Sequence, residues 1–224
     1  MIIITGASRG IGKFLFNKYR DLGFDVIGTY NGTHSTIKGY SKVDITDYDQ
    51  VSNWISKNEF NLKEITLINC AGISYNSFAH KSDPKLWRSV IEVNLIGTFN
   101  CIRALLPIMR NQKFGRIINF SSVVAKKGTP GVSAYAASKS ALWGMTKSLS
   151  QENASLNITV NDINMGYSEL GMIENVPEKF LDLLKKEIPA KKLCDSDDIF
   201  NTVEYLRECS YINGSSVDLN GGLI

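Results

Sequence analysis

The chain has 224 residues, 43% hydrophobic and 21% charged, with a formal net charge of +3. That composition suits a globular chain with enough apolar mass for a full core, and one domain can hold it, since α/β folds often run past about 200 residues undivided. The charge is too small to argue for nucleic acid or a membrane surface as partner; no apolar stretch reads as a membrane span and no signal peptide is visible, so the expected compartment is the cytoplasm.

The elements follow in chain order. The apolar run Ile2–Thr5 reads as a buried strand and enters the turn Thr5-Gly6-Ala7-Ser8-Arg9-Gly10-Ile11-Gly12. A helix over Ile11–Leu22 comes next, with Ile11, Leu15 and Tyr19 on one side. Strand, glycine turn and helix in that order make a dinucleotide site, because glycines let the backbone approach a pyrophosphate and the helix N–H groups attract its charge. The spacing is Gly-x-x-x-Gly-x-Gly, which differs from the commoner Gly-x-Gly-x-x-Gly. Strands at Asp25–Thr29 and Tyr40–Val43 flank Tyr30–Gly39, which reads as a loop. A helix over Tyr48–Lys57 precedes the near-continuously apolar strand Ile65–Cys70.

Further along, the pattern predicts a long helix Leu86–Arg110, a strand Arg116–Ser121, a helix Ala134–Ser155 and a strand Ile158–Ile163. Gly166–Pro177 lacks periodicity. It follows a strand's C-terminal end, where α/β sheets bind ligands, and reads equally as a substrate lid and as an ordinary surface loop. Helices Glu178–Glu187 and Ser196–Arg207 and the strand Ser216–Leu219 complete the pattern. Alternating strands and helices predict an α/β fold: a single Rossmann-type doubly wound domain over residues 1–224, with a mostly parallel seven-stranded sheet covered by helices on both faces.

Two groups of residues could do chemistry. Tyr135 and Lys139 stand four apart at a helix start, so the phenol and the ammonium share a face. A nearby cation favours the phenolate, and such a pair can pass a proton to or from a substrate oxygen. Ser122 ends the strand Arg116–Ser121, where a hydroxyl faces the ligand crevice and can hydrogen-bond a carbonyl. Cys70, Cys101, Cys194 and Cys209 are far apart and read as reduced thiols, and His34 and His80 have no ligand spacing, so no metal is expected.

With these motifs the chain resembles the classical short-chain dehydrogenases/reductases from Ile2 to about Gly222. Thr5–Gly12 matches the family's Thr-Gly-x-x-x-Gly-x-Gly, Asn69-Cys70-Ala71-Gly72 resembles its Asn-Asn-Ala-Gly, and Val217–Gly222 resembles its closing strand. The resemblance implies a catalytic set of Asn94, Ser122, Tyr135 and Lys139. In it Tyr135 is the general acid or base, Lys139 lowers its pKa and binds the nicotinamide ribose, Ser122 polarises the carbonyl and Asn94 maintains a water relay. It also implies a cofactor site of Gly6, Ser8, Arg9, Gly10, Ile11, Gly12, Asp44, Asn69, Ala71, Gly72, Tyr135, Lys139 and Gly166, with Asp44 at the adenine ring.

Two departures stand out. Met165 takes the place of the family's proline before Gly166, and Leu170 that of a threonine which commonly bonds the nicotinamide carboxamide. The end of the second strand carries no acid, and Arg9 lies within the glycine turn, so NADP(H) is favoured over NAD(H). The reaction implied is hydride transfer between nicotinamide and a carbonyl or secondary alcohol. The likeness is greatest to 3-oxoacyl-carrier-protein reductases, so the substrate could be a 3-oxoacyl thioester, with Lys113, Lys126 and Lys127 as candidates to meet an acidic carrier. Small ketones, sugars and steroids remain open as substrates. A competing reading, raised by Met165 and Leu170, is a non-catalytic dinucleotide sensor or scaffold; a nucleotide-sugar epimerase fits the glycine spacing less well. The resemblance further implies a homodimer or homotetramer built on the two long helices. Trp87, Leu95, Phe99, Trp143 and Met145 belong either to that interface or to the monomer core.

Overall fold

A computed structural model describes residues 1–32, 38–171 and 178–224. Its seven strands form one sheet in the order β3-β2-β1-β4-β5-β6-β7, and every pair is parallel. They are β1 (Ile2–Thr5), β2 (Val26–Tyr30), β3 (Tyr40–Lys42), β4 (Thr66–Asn69), β5 (Gly115–Ser122), β6 (Ile158–Met165) and β7 (Ser216–Leu219). The order reverses between β1 and β4, and this switch point opens a crevice at the C-terminal strand ends. Predicted strand positions agree within two residues, and the sheet is wholly rather than mostly parallel.

The helices are α1 (Gly10–Asp21), α2 (Tyr48–Asn58), α3 (Pro84–Ile91), α4 (Thr98–Gln112), α5 (Val124–Lys127), α6 (Ser133–Asn153), α7 (Glu178–Glu187) and α8 (Ser196–Glu208). One apolar layer lies between the sheet and α2, α4 and α6, around Ile3, Leu67, Leu105 and Val160. The other lies beneath α1 and α8, around Ile4, Phe16, Ile163 and Val203. Burial on both faces explains why β1, β4, β5 and β6 are buried at every residue.

Sequence and structure differ at several points. The predicted single helix Leu86–Arg110 is α3 and α4 joined by a π-helical turn, Glu92–Gly97. The apolar pattern reads as helix on both sides of this turn, so the sequence is taken for one continuous helix. Within Pro84–Gln112 an 18-residue window reaches mean hydropathy 1.3, so by length and composition alone this run passes for a membrane-crossing helix. It packs against α2, α6 and β5 as a core helix. Helix α5 was not foreseen; at four residues it is too short to show a period. Within the predicted loop Tyr30–Gly39, Tyr30 closes β2 and residues 33–37, His34 among them, lie outside the described residues. Residues 172–177 of the candidate lid also lie outside them. His80 sits in an exposed 3₁₀ turn, all four cysteines are free, and no metal-binding cluster occurs among the described residues.

Candidate active site

The glycine turn joins β1 to α1 at the switch point. Gly6 has φ +65°, in the left-handed region, and a Cβ there would lie 2.7 Å from Ala71 Cα. A Cβ on Gly12 would lie 2.4 Å from the Gly6 carbonyl oxygen, so only glycine lets the turn close on the helix. Arg9 is the extended N-cap of α1 and its side chain caps nothing, so the N–H groups of the first turn remain for an anion. This uncapped helix start with glycine-bared backbone fits the diphosphate of a dinucleotide.

The rest of the expected cofactor wall gathers around the turn. Ala71 N–H donates to Thr5 Oγ1 at 3.1 Å, tying the end of β4 to the end of β1. Arg9 is exposed and its Nη2 donates to the Gly72 carbonyl oxygen at 3.4 Å, bridging the crevice mouth. Ser8 is half-buried beside it, and Ile11 packs on the apolar cluster below. Asp44 accepts from Thr46 N–H at 3.0 Å and Thr46 Oγ1 at 2.7 Å. Burial acts to raise its pKa, but these bonds and one with the Asn31 side chain outweigh that, so the carboxyl stays below its ordinary value. Gly166 lies flat on the chain after β7, where a Cβ would meet Asn220 Cα at 2.7 Å.

The four expected catalytic residues come from β5, α6 and the π-helical turn. Asn94 is fully buried. Its Nδ2 donates to the Ile73 carbonyl oxygen at 2.9 Å and to Ser138 Oγ at 3.0 Å, and its Oδ1 accepts from Ile73 N–H at 2.8 Å. Ser122 is the last residue of β5, and its Oγ accepts from Val124 N–H at 3.4 Å. Lys139 Nζ donates to the Phe120 carbonyl oxygen at 2.6 Å and lies 5.6 Å from the Tyr135 ring centroid. A Cβ on Gly72 would stand 3.4 Å from Asn94 Oδ1 and 3.7 Å from Lys139 Nζ, so the cofactor wall and the catalytic groups meet at Gly72.

Burial pushes the Tyr135 phenol above its ordinary pKa, and the nearby Ser122 hydroxyl opposes this. Lys139 gives its hydrogen bond to the Phe120 carbonyl oxygen rather than to the phenol. Burial lowers the ammonium's own pKa to about 8, against the opposing influence of Cys70 and Asp162.

Met165 and Leu170, the two departures, are taken up by packing. Met165 extends β6, accepts from Val123 N–H at 2.8 Å and buries its side chain in the layer beneath α1 and α8. Leu170 packs against the same layer, while Ser168 Oγ donates to the Leu170 carbonyl oxygen at 2.9 Å. Of the lysines considered for a carrier, Lys126 is paired with Asp218 at 2.8 Å, at the crevice end of the sheet. Lys113 closes α4 just before β5 begins, so eight residues of strand, about 25 Å, separate it from Ser122. Proximity in sequence to the catalytic strand placed it at the wrong end.

Sequence reading passed over the polar groups behind the site. Ser121 Oγ donates to the Lys139 carbonyl oxygen at 2.9 Å, and Trp143 Nε1 donates to both Ser121 Oγ and Asn164 Oδ1 at 3.0 Å. Asn119, Thr146 and Asp162 form a buried cluster. The available signal was an acid in a strand that otherwise reads as buried.

Comparison with known proteins agrees with this geometry. The family model for short chain dehydrogenase matches residues 1–180. The chain is 36% identical to an acetoacetyl-CoA reductase of Shinella zoogloeoides, over 98% of this chain and 96% of that protein. It is 33% identical to a 3-oxoacyl-acyl-carrier-protein reductase of Staphylococcus aureus, over 99% of this chain and 96% of the relative. A crystal structure of the 3-oxoacyl-acyl-carrier-protein reductase of Brucella melitensis superposes with TM-score 0.89 at 30% identity, covering 99% of this chain and 90% of that one. With its parallel seven-stranded sheet, its glycine turn and these relatives, the chain belongs to the short-chain dehydrogenase family and is an oxidoreductase of that family.

Proposed function

We propose that the chain reduces the carbonyl of a 3-oxoacyl thioester to the secondary alcohol, with NADPH as donor. The observation that carries the reading is the junction at Gly72, where Asn94 and Lys139 converge on the cofactor wall, next to Ser122 at the end of β5 and Tyr135 on α6. The hydride for the carbonyl carbon comes from the nicotinamide of the bound cofactor. Tyr135 gives its phenolic proton to the carbonyl oxygen. Its raised pKa keeps that proton in place at neutral pH, which suits the reducing direction. Ser122 donates to the same oxygen as charge develops on it. Lys139, charged below about pH 8, stabilises the phenolate left behind and takes the nicotinamide ribose. Asn94, clamped on both sides of Ile73, fixes the wall through which the proton is replaced.

Relatives named for acetoacetyl-CoA and 3-oxoacyl-acyl-carrier-protein reduction support the thioester class. The exposed Arg9 at the turn and the acid-free end of β2 support NADPH. We also assign a homodimer or homotetramer. Leu86, Ile96 and Phe99 are exposed along the α3–α4 run, at 48%, 39% and 41%, and a partner helix would cover them. The test is NADPH oxidation with acetoacetyl-CoA and with simple ketones, beside dissociation constants for NADPH and NADH. Thioester-dependent oxidation that Tyr135→Phe abolishes is the expected result. Turnover that survives in that variant, or tighter binding of NADH, overturns the corresponding part.

A further inference from the structure

Behind Ser122 runs a row of polar side chains that the steps above leave unused. Ser121 on β5, Asn164 on β6 and Asp218 on β7 are register neighbours across three parallel strands. Ser121 and Asn164 are 2% and 0% exposed, so their polar atoms need partners inside the protein. Trp143 on α6 supplies one to each: its Nε1 donates to Ser121 Oγ and to Asn164 Oδ1, both at 3.0 Å. Asn164 Nδ2 donates to Asp218 Oδ1 at 2.8 Å. Lys126 Nζ donates to both oxygens of that carboxylate, at 2.8 and 2.9 Å, and lies 5.6 Å from the Trp143 ring centroid. Lys126 belongs to α5, just after Ser122, and Ser140 Oγ on α6 donates to the neighbouring Ala125 carbonyl oxygen at 3.0 Å. The contacts therefore close a ring between the catalytic strand and the catalytic helix.

The directions of these bonds follow from what each group can do. An ionised carboxylate only accepts, so Asp218 turns the Asn164 amide nitrogen toward itself and leaves Oδ1 for the indole. An indole N–H only donates, so it occupies a lone pair on Ser121 and sends the hydroxyl proton elsewhere. That proton goes to the Lys139 carbonyl oxygen, at 2.9 Å. Lys139 is thus held to β5 at two points, its carbonyl by Ser121 and its ammonium by the Phe120 carbonyl oxygen at 2.6 Å. These are the two residues directly before Ser122. We infer that Trp143 is a positioning residue: braced by Asn164 and Asp218, its indole N–H aims the Ser121 hydroxyl that seats Lys139 beside Ser122. The inference rests on the reductase reading and deepens it, by naming what sets the spacing between the helix of Tyr135 and Lys139 and the strand of Ser122. A displacement of about 1 Å between such groups is enough to slow a proton transfer.

Ser121→Ala strands no polar group, because Trp143 Nε1 keeps Asn164 and the Lys139 carbonyl keeps its helical bond. With NADPH and acetoacetyl-CoA, kcat and kcat/KM should fall together by roughly tenfold, with KM and melting temperature little changed. Ser121→Thr, which keeps the hydroxyl, should restore turnover. Wild-type kcat in Ser121→Ala, or a loss that only accompanies a matching fall in melting temperature, overturns the inference. Trp143→Phe should lose as much turnover, and the double variant no more than either single one; losses that multiply overturn it. One further measurement needs no turnover and so separates the inference from the reductase reading. The Lys139 carbonyl carbon resonance should move upfield in Ser121→Ala, as a carbonyl that loses a donor does, and Trp143→Phe should move it the same way. A Lys139 carbonyl that ignores Trp143→Phe overturns the inference. Failure of every thioester, with the carbonyl shift present in both variants, counts against the substrate alone.

Discussion

The two halves of the sheet make their site in different ways. The cofactor half, β1 to β3 with the turn before α1, is shaped by main chain: missing Cβ atoms, an uncapped helix start and one exposed arginine. The catalytic half, β4 to β7 under α6, is shaped by side chains on a polar patch of an otherwise apolar face, with Asn69, Asn119, Ser121, Asp162 and Asn164 all buried. Main-chain sites depend on space and side-chain sites on charge, so the first should fail by steric insult and the second by changes of proton or partner.

The largest effect belongs to the catalytic half. Tyr135→Phe should lower kcat roughly a thousandfold, the scale of a lost general acid, and leave NADPH affinity unchanged by fluorescence titration. Next comes a pH effect confined to the same half. The Asp162 pKa is raised in the folded chain, from 3.8 to about 6, so the folded state holds that proton more tightly than the unfolded chain does. Its stability contribution is full below pH 4 and is lost as pH rises through about 6. The loss is about 3 kcal/mol before relaxation is counted. Melting curves should show wild type falling relative to Asp162→Asn across that window, and parallel curves would refute it.

In the cofactor half, Gly12→Ala should cost about 1–3 kcal/mol in stability and most of the NADPH affinity, because the new methyl meets the Gly6 carbonyl. A variant with normal affinity would show that backbone fit does not define this half. Arg9→Ala should reduce the preference for NADPH over NADH by roughly tenfold with stability untouched, as an exposed phosphate contact would. The smallest effect should be Lys126→Ala. Its pair with Asp218 is about a third exposed on each side, so the loss should stay under about 1 kcal/mol by denaturant melting.

Legibility in the sequence follows the same division. Glycine spacing and strand–helix alternation are local signals, and they located the turn, the seven strands and the Tyr135–Lys139 face. The polar network was hidden because its members, Asn69, Asn119, Thr146 and Asp162, come from four separate elements and only the sheet brings them together. The π-helical turn at Asn94 left no trace in the periodicity, and Lys113 looked close to the site because sequence distance does not say which end of a strand is meant. The pairing of Lys139 with a backbone carbonyl rather than with the phenol was likewise unreadable, since every residue carries the same acceptor.

The carboxylate on β6 bears on how the chain avoids its neighbours while it folds. Without β7 in place, β6 is the edge of the sheet, with a row of free N–H and C=O groups ready to pair with another molecule. Asp162, with Asn161 and Asn164 beside it, makes that edge a poor template, because a second β6 laid against it would bury like charges face to face. Refolding of Asp162→Val should therefore yield more aggregate, and a residue buried in the finished enzyme would also keep unfinished copies apart.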